Sequence, residues 1–122
     1  LEELQRGKTA ALLTAACEMG CLLAGGTAEQ RQAARIYGEN VGLGFQIIDD
    51  ILDATSTPEE LGKPVGGDQI HRKTTYVSLL GIEEAVRLAE RRTQEAVDVL
   101  QAFGSEAAEL RRLAAELLRR KK

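Results

Sequence analysis

The chain has 122 residues and a formal net charge of −3, and it is 43% hydrophobic and 29% charged, which is typical of a single globular domain over residues 1–122. The net negative charge and an aromatic fraction of only 3% argue against a nucleic-acid partner, which would need a basic face with stacking rings. Its apolar runs stay well below the ~20 residues of a membrane span. A core of Leu, Ile, Val and Ala favours helices over a β-sandwich.

The first predicted element is a buried helix over residues 2–24, in which apolar residues recur at helical spacing. These residues are Leu4, Ala11, Ala15 and Leu22. Gly25-Gly26 ends the helix. Cys17 and Cys21 share one of its faces, and no further Cys or His completes a zinc-ligand pattern. Free cysteines are typical of a reducing compartment, so the sequence predicts a cytoplasmic location.

The second predicted helix begins at a capping box formed by Thr27 and Gln30 and runs through Asp53. It contains three glycines, Gly38, Gly42 and Gly44. Each costs about 1 kcal/mol relative to Ala inside a helix, so each needs a reason. Close packing against another backbone is one explanation, and room for a ligand beside the helix is the other.

The remainder of the chain alternates between loop signals and helical patterns. Thr57-Pro58 predicts a short helix that ends near Gly62, and a loop rich in glycine and proline follows it. Three more helical stretches are predicted, one from Thr74 or Thr75 to Leu80, one over residues 82–103, and one from a Ser105 cap to Leu118. No strand-like alternation occurs in the sequence. The expected fold class is therefore an all-α helical bundle.

Three carboxylates, Asp49, Asp50 and Asp53, here called the aspartate cluster, share one side of the second helix with Gln46, within an arc of roughly 100°. Like charges at this spacing repel, so the cluster needs a cation. Oxygen ligands suit Mg²⁺, which takes carboxylates together with water and phosphate. Gly42 lies one turn earlier and predicts an open slot along this face. The alternative is a solvated acidic helix end, which the neighbouring isoleucines disfavour.

Basic residues flank the glycine-rich loop and the start of the first helix. They are Lys8, Lys63, Arg72 and Lys73. Glycine N–H groups beside a lysine suit a phosphate, which makes Lys63 a candidate contact. The alternative is that these lysines only solubilise the surface. Asp68 is a candidate second metal ligand, a partner that orients Lys73, or a simple turn residue.

Taken in chain order, these motifs resemble the C-terminal part of the trans-isoprenyl diphosphate synthases, the family of farnesyl and geranylgeranyl diphosphate synthases. The matching segments are Lys8-Thr9-Ala10-Ala11-Leu12, Tyr37-Gly38, Gly42-Leu43-Gly44-Phe45-Gln46, Asp49-Asp50-Ile51-Leu52-Asp53, Leu61-Gly62-Lys63, Gly67-Asp68, Lys73-Thr74-Thr75-Tyr76 and Leu79-Leu80-Gly81. They cover nearly the whole chain.

The resemblance implies a prenyltransferase of isoprenoid biosynthesis, in which Mg²⁺ ions bridge an allylic diphosphate to two aspartate-rich motifs. The residues that match are the second motif (Asp49, Asp50, Asp53), the lysines that hold the diphosphate (Lys8, Lys63, Lys73) and the positions that face the allylic cation (Thr9, Gln46). The implied reaction ionises the allylic C–O bond, joins the cation to isopentenyl diphosphate and releases a proton.

The family's first aspartate-rich motif and its isopentenyl diphosphate site have no counterpart in these 122 residues. The resemblance therefore implies a C-terminal portion of a synthase, inactive alone, whose exposed apolar wall invites pairing with another chain, as in a homodimer. Two other interpretations stay open. One is a non-catalytic helical fragment that self-associates or serves as a partner subunit, and the other is a related helical terpene-processing enzyme.

Overall fold

The computed structural model describes residues 2–55 and 75–120, and every regular element in these ranges is helical. The elements are α1 (Glu2–Leu23), α2 (Ala28–Thr55), α3 (Tyr76–Leu80), α4 (Ile82–Val99), a 3₁₀ segment (Leu100–Ala107) and α5 (Ala108–Leu118). The predicted all-α class is confirmed. The predicted helix at Pro58 and the glycine-rich loop lie outside the described residues. Across the two described ranges, no helix is both long and apolar enough to cross a membrane.

The central element is α2, which contacts every other described element. Gly25 adopts a φ of 78° after the end of α1, a left-handed conformation that glycine adopts without strain. The predicted capping box then begins α2, because the Thr27 hydroxyl accepts from the Gln30 N–H at 3.1 Å and the Gln30 side chain accepts from the Thr27 N–H at 3.0 Å. The two local sequence signals, the glycines after α1 and the Thr27–Gln30 capping box, therefore predicted the turn between α1 and α2 correctly.

The glycines of α2 let α1 approach it backbone to backbone. A Cβ atom on Gly38 would lie 2.7 Å from the Thr14 Cα, and one on Gly42 would lie 2.8 Å from the Ala10 Cα. These contacts step four residues along each helix in opposite directions, so the two helices are antiparallel. Close packing therefore explains both glycines. The slot predicted beside Gly42 is wrong, because Ala10 fills that space.

The prediction that α1 is a buried helix is wrong for most of its length. Ala11 and Ala15 are exposed, and Leu22 is 55% exposed. The side chain of Leu4 lies outside the described residues. The reason is geometric: α1 contacts α2 through one face, and no other described element covers the opposite face. That uncovered face carries the large apolar side chains Leu12, Met19, Leu22 and Leu23.

Small residues on α4 form the core together with α2 and α5. A first core cluster contains Tyr37, Ala96, Leu100, Ala107 and Ala114. A second core cluster contains Ile47, Ile48, Ala85 and Ala89. The three α4 alanines are fully buried, so their lack of a larger side chain brings α4 close to α2. This packing fixes the orientation of α2 and of the polar residues between its isoleucines.

The C-terminal elements differ from the predicted helix over residues 82–103 and from the predicted cap at Ser105. Helix α4 ends at Val99, and the 3₁₀ segment breaks at Gly104, where φ is 66°. Helix α5 begins at Ala108 without a side-chain cap, and its first N–H donates to the Ser105 carbonyl instead. The predicted cap fails because the left-handed Gly104 turns the chain just before Ser105.

Tyr37 ties α2 to α5 inside the first core cluster. Its side chain is 3% exposed, and its hydroxyl donates to the Leu110 carbonyl at 2.9 Å. Burial, together with the nearby Cys17 thiol, raises the pKa of Tyr37 from 10.0 to about 12. Burial also raises the pKa of Cys17. Both groups therefore favour the folded state only while they stay protonated.

We expect alkaline pH to destabilise the fold through Tyr37. The unfolded chain loses its phenolic proton near pH 10 and the folded chain near pH 12, so this stabilisation is complete below pH 10 and is lost as the pH rises to 12. At pH 11 the loss amounts to about 1.4 kcal/mol. Urea unfolding at pH 8 and pH 11 measures it. Tyr37→Phe is the control, and an equal loss in both proteins would contradict the assignment to Tyr37.

Candidate functional site

The aspartate cluster lies on the C-terminal half of α2, the part that the second core cluster holds in place. Ile47 and Ile48 are buried against α4, so this stretch of α2 has a fixed orientation. Asp50 is buried as well, whereas Asp49, Asp53 and the neighbouring Gln46 are partly exposed. The predicted polar residues therefore stand at the edge of a packed helix.

Asp50 links α2 to the start of α3. Its Oδ2 accepts from the N–H of Tyr76 at 3.0 Å, where Tyr76 is the first residue of α3. Thr75 caps that helix with a reciprocal capping box, since its hydroxyl accepts from the Ser78 N–H at 3.0 Å. The predicted start at Thr74 or Thr75 is thereby assigned to Thr75. Asp50 is a candidate metal ligand, and one of its two carboxylate oxygens therefore positions the backbone at the start of α3.

Asp49 forms an ion pair with Arg120, which follows α5. The Arg120 guanidinium donates to the Asp49 Oδ1, and the two side chains are 26% and 27% exposed. The same guanidinium lies over the ring of Phe45, with its Cζ 4.4 Å from the ring centroid. Sequence reasoning missed Arg120 as a site residue. The only available signal was the run of four basic residues at the C-terminal end.

Asp53 differs from the other two aspartates in its partners. Its Oδ1 is buried and has no hydrogen-bond partner within the described ranges. Burying an unpaired carboxylate oxygen is costly unless a ligand or cation satisfies it. Asp53 follows Asp49 by one helical turn, so the two partly exposed carboxylates lie on the same side of α2.

The carboxylates of the aspartate cluster fit a hard cation such as Mg²⁺ only if water and substrate phosphate supply the other ligands. Considering the described residues alone, no three His, Cys, Asp or Glu side chains form a group that could hold a metal ion. Mg²⁺ usually takes one or two carboxylates and completes its six ligands with water and substrate phosphate. Asp49 and Asp53 could supply that share, and the observation that fits it is the Asp53 Oδ1, which has no partner in the described part of the chain.

The remaining predicted site residues lie either on α1 or outside the described residues. Lys8 is exposed and Thr9 is half-buried on α1. The contact between Ala10 and Gly42 places this turn of α1 beside the turn of α2 that precedes Gln46. Lys63, Asp68 and Lys73 lie outside the described residues, so their roles stay predictions.

Comparison with known proteins agrees with the resemblance in the sequence. The sequence model of the family described as polyprenyl synthetase matches residues 1–117. Geranylgeranyl pyrophosphate synthase 12, chloroplastic, from Arabidopsis thaliana is 47% identical over 105 residues, which are 86% of this chain and 29% of that protein. A chloroplastic geranylgeranyl pyrophosphate synthase from Capsicum annuum is 44% identical over 108 residues, 88% of this chain and 29% of that protein.

A further relative is the heterodimeric geranylgeranyl pyrophosphate synthase large subunit 2 of Arabidopsis thaliana, which is 42% identical over 106 residues, 87% of this chain and 28% of that protein. The chain thus spans less than a third of the length of these curated relatives. The family match extends over almost all of the 122 residues. The chain belongs to the polyprenyl synthetase family.

Proposed function

We propose that this chain forms the part of a prenyltransferase that carries the second aspartate motif, in an enzyme that condenses an allylic diphosphate with isopentenyl diphosphate. The observation that carries the proposal is the pair of partly exposed carboxylates on α2, one of which has a buried oxygen without a partner among the residues that the structure describes. Family membership and the prenyl synthase names of the relatives support it. The residues present supply one motif, so we do not expect turnover from this chain alone.

In this proposal Asp49 and Asp53 hold Mg²⁺, which supplies positive charge to the departing diphosphate when it is bound. Lys8, Lys63 and Lys73 bind the diphosphate oxygens as point charges. Gln46 and Thr9 face the developing allylic cation with their side-chain oxygens. The apolar packing of Ile47 and Ile48 keeps the backbone of α2 rigid, so the carboxylates keep their positions as charge develops.

Asp50 has a positioning role in the same proposal. Its bond to the Tyr76 N–H fixes the first residue of α3, and Tyr76 follows the candidate Lys73 by three residues along the chain. Asp50 therefore anchors one end of the segment that carries this lysine. Any action of Asp50 on the metal ion through water requires that this anchor is kept.

The second candidate function is that of a non-catalytic helical partner subunit. It is favoured by the uncovered face of α1, where Leu12 is 72% exposed and Leu23 is 84% exposed. Large exposed apolar side chains on one helix face are typical of an interface. Pairing with a second copy, as a homodimer, belongs to this part of the proposal. A cytoplasmic location likewise stays a prediction from the free Cys17 and Cys21.

We expect inorganic diphosphate to bind the chain only when Mg²⁺ is present. Without the ion, the aspartate cluster repels the anion, and the candidate lysines cannot offset both this repulsion and the desolvation of the charges. Calorimetric titration of diphosphate with and without Mg²⁺ measures this. The control is Asp53→Asn, which keeps the side-chain shape but weakens the ion site. Equal affinity in the two buffers would contradict the metal assignment.

A further inference from the structure

The C-terminal end of α5 is held beside the aspartate cluster by apolar packing. Leu118, the last residue of α5, contacts the second core cluster formed by Ile47, Ile48 and two α4 alanines. After it, the Arg120 N–H donates to the Leu117 carbonyl at 3.3 Å. These contacts bring the Arg120 side chain to the edge of α2 that carries Asp49.

Arg120 contacts two residues that lie one helical turn apart on α2. Its guanidinium donates to the Asp49 carboxylate and lies over the Phe45 ring, 4.4 Å from the ring centroid. A planar guanidinium can make both contacts at once, whereas a lysine ammonium keeps the charge but loses the stacking. The placement is therefore specific for arginine.

Two buried polar side-chain atoms, one on Arg120 and one on Asp53, are unsatisfied among the described residues. Within the described residues, neither the Arg120 Nε nor the Asp53 Oδ1 has a hydrogen-bond partner. Buried polar groups in folded proteins are nearly always paired, so each unpaired group is unfavourable. An exchange of Arg120 for a hydrated cation would satisfy Asp53 and return the Arg120 Nε to water. The pair therefore has the features of a contact that a ligand displaces.

We propose that Arg120 is the resident counter-ion of the aspartate cluster and competes with a divalent cation for Asp49. In the metal-free chain the guanidinium neutralises Asp49, and cation binding releases the C-terminal end from α2. This inference rests on the metal site of the proposed function. It adds a residue outside the aspartate cluster that sets the affinity of that site.

The test is calorimetric titration of MgCl₂ and MnCl₂ into the full chain and two variants. Arg120→Gln removes the competing charge, and we expect it to bind the cation about tenfold more tightly, the usual scale of one charge-assisted hydrogen bond. Arg119→Gln is the matched control, because the exposed Arg119 is adjacent and carries the same charge. It should change the affinity less than about twofold, since an exposed neighbouring charge is largely screened. Arg120→Lys should fall between the two.

A double-mutant cycle gives a second readout that does not depend on activity. The unfolding free energies of wild type, Arg120→Gln, Asp49→Asn and the double variant are measured without metal and with saturating Mg²⁺. We expect Arg120 and Asp49 to be coupled without metal and uncoupled with it. If Arg120→Gln misfolds, the same cycle is measured with Arg120→Met, which also removes the charge.

The outcomes separate this inference from the metal assignment itself. If Asp49→Asn weakens cation binding while Arg120→Gln leaves it unchanged, the metal site stands and the competition is wrong. If coupling between Arg120 and Asp49 persists at saturating Mg²⁺, the pair is a permanent structural bond and the proposal is overturned. If no variant binds either cation, the metal assignment fails and the competition fails with it.

Discussion

Asp49→Ala in the intact enzyme is expected to lower the rate of prenyl transfer by about 10²–10³-fold, the usual loss when one group that stabilises transition-state charge is removed. Asp49 is partly exposed on α2 and is one of the two carboxylates that we propose to hold the metal ion. In the proposed prenyltransferase, losing Asp49 would weaken the charge stabilisation of the departing diphosphate, so kcat should fall more than KM rises. Steady-state rates at saturating Mg²⁺ measure the effect.

Glu39→Ala is the matched control for this variant. Glu39 lies on the same helix and is exposed, so its loss removes an equal charge without touching the aspartate cluster. We expect its rate to stay within about twofold of wild type, as for an ordinary surface substitution. If Asp49→Ala kept more than about a tenth of the wild-type rate, the estimate for a charge-stabilising group would not apply, and Asp49 would be only the structural partner of Arg120.

Gly42→Ala is expected to destabilise the fold by about 1–3 kcal/mol, the usual cost of overpacking a well-packed contact. The new Cβ would lie 2.8 Å from the Ala10 Cα and 3.1 Å from the Ala10 Cβ, so α1 must move away from α2. Because α1 also carries Lys8 and Thr9, the same substitution should displace candidate site residues. Urea unfolding monitored by circular dichroism measures the loss of stability.

Gly44→Ala, on the same helix, is expected to stabilise the fold. Its Cβ would meet only the Thr93 Oγ1, at 3.8 Å, which is an ordinary contact distance. The gain in helix propensity of about 1 kcal/mol should then dominate. If both variants shift stability in the same direction, close packing with α1 is not what requires glycine at position 42.

Several features set by neighbours within four residues were predicted correctly from the sequence, although the cap at Ser105 was not. The capping box at Thr27, the helix end at Gly25-Gly26 and the helical side that carries the aspartates all depend on local hydrogen bonds or on helical periodicity. The ordered motifs also indicated the polyprenyl synthetase family, which the match over residues 1–117 confirms. Local signals of this kind do not depend on what the rest of the chain packs against.

The tertiary structure decided everything that depends on distant residues. Only the placement of α1 showed that Gly38 and Gly42 accommodate a backbone, and only the lack of a covering element in the described chain showed that the far face of α1 is exposed. The partners of the aspartates lie 26 residues away for Asp50 and 71 residues away for Asp49. Such pairs form because helix packing brings their elements together, and the periodicity of the sequence does not predict contacts between residues so far apart.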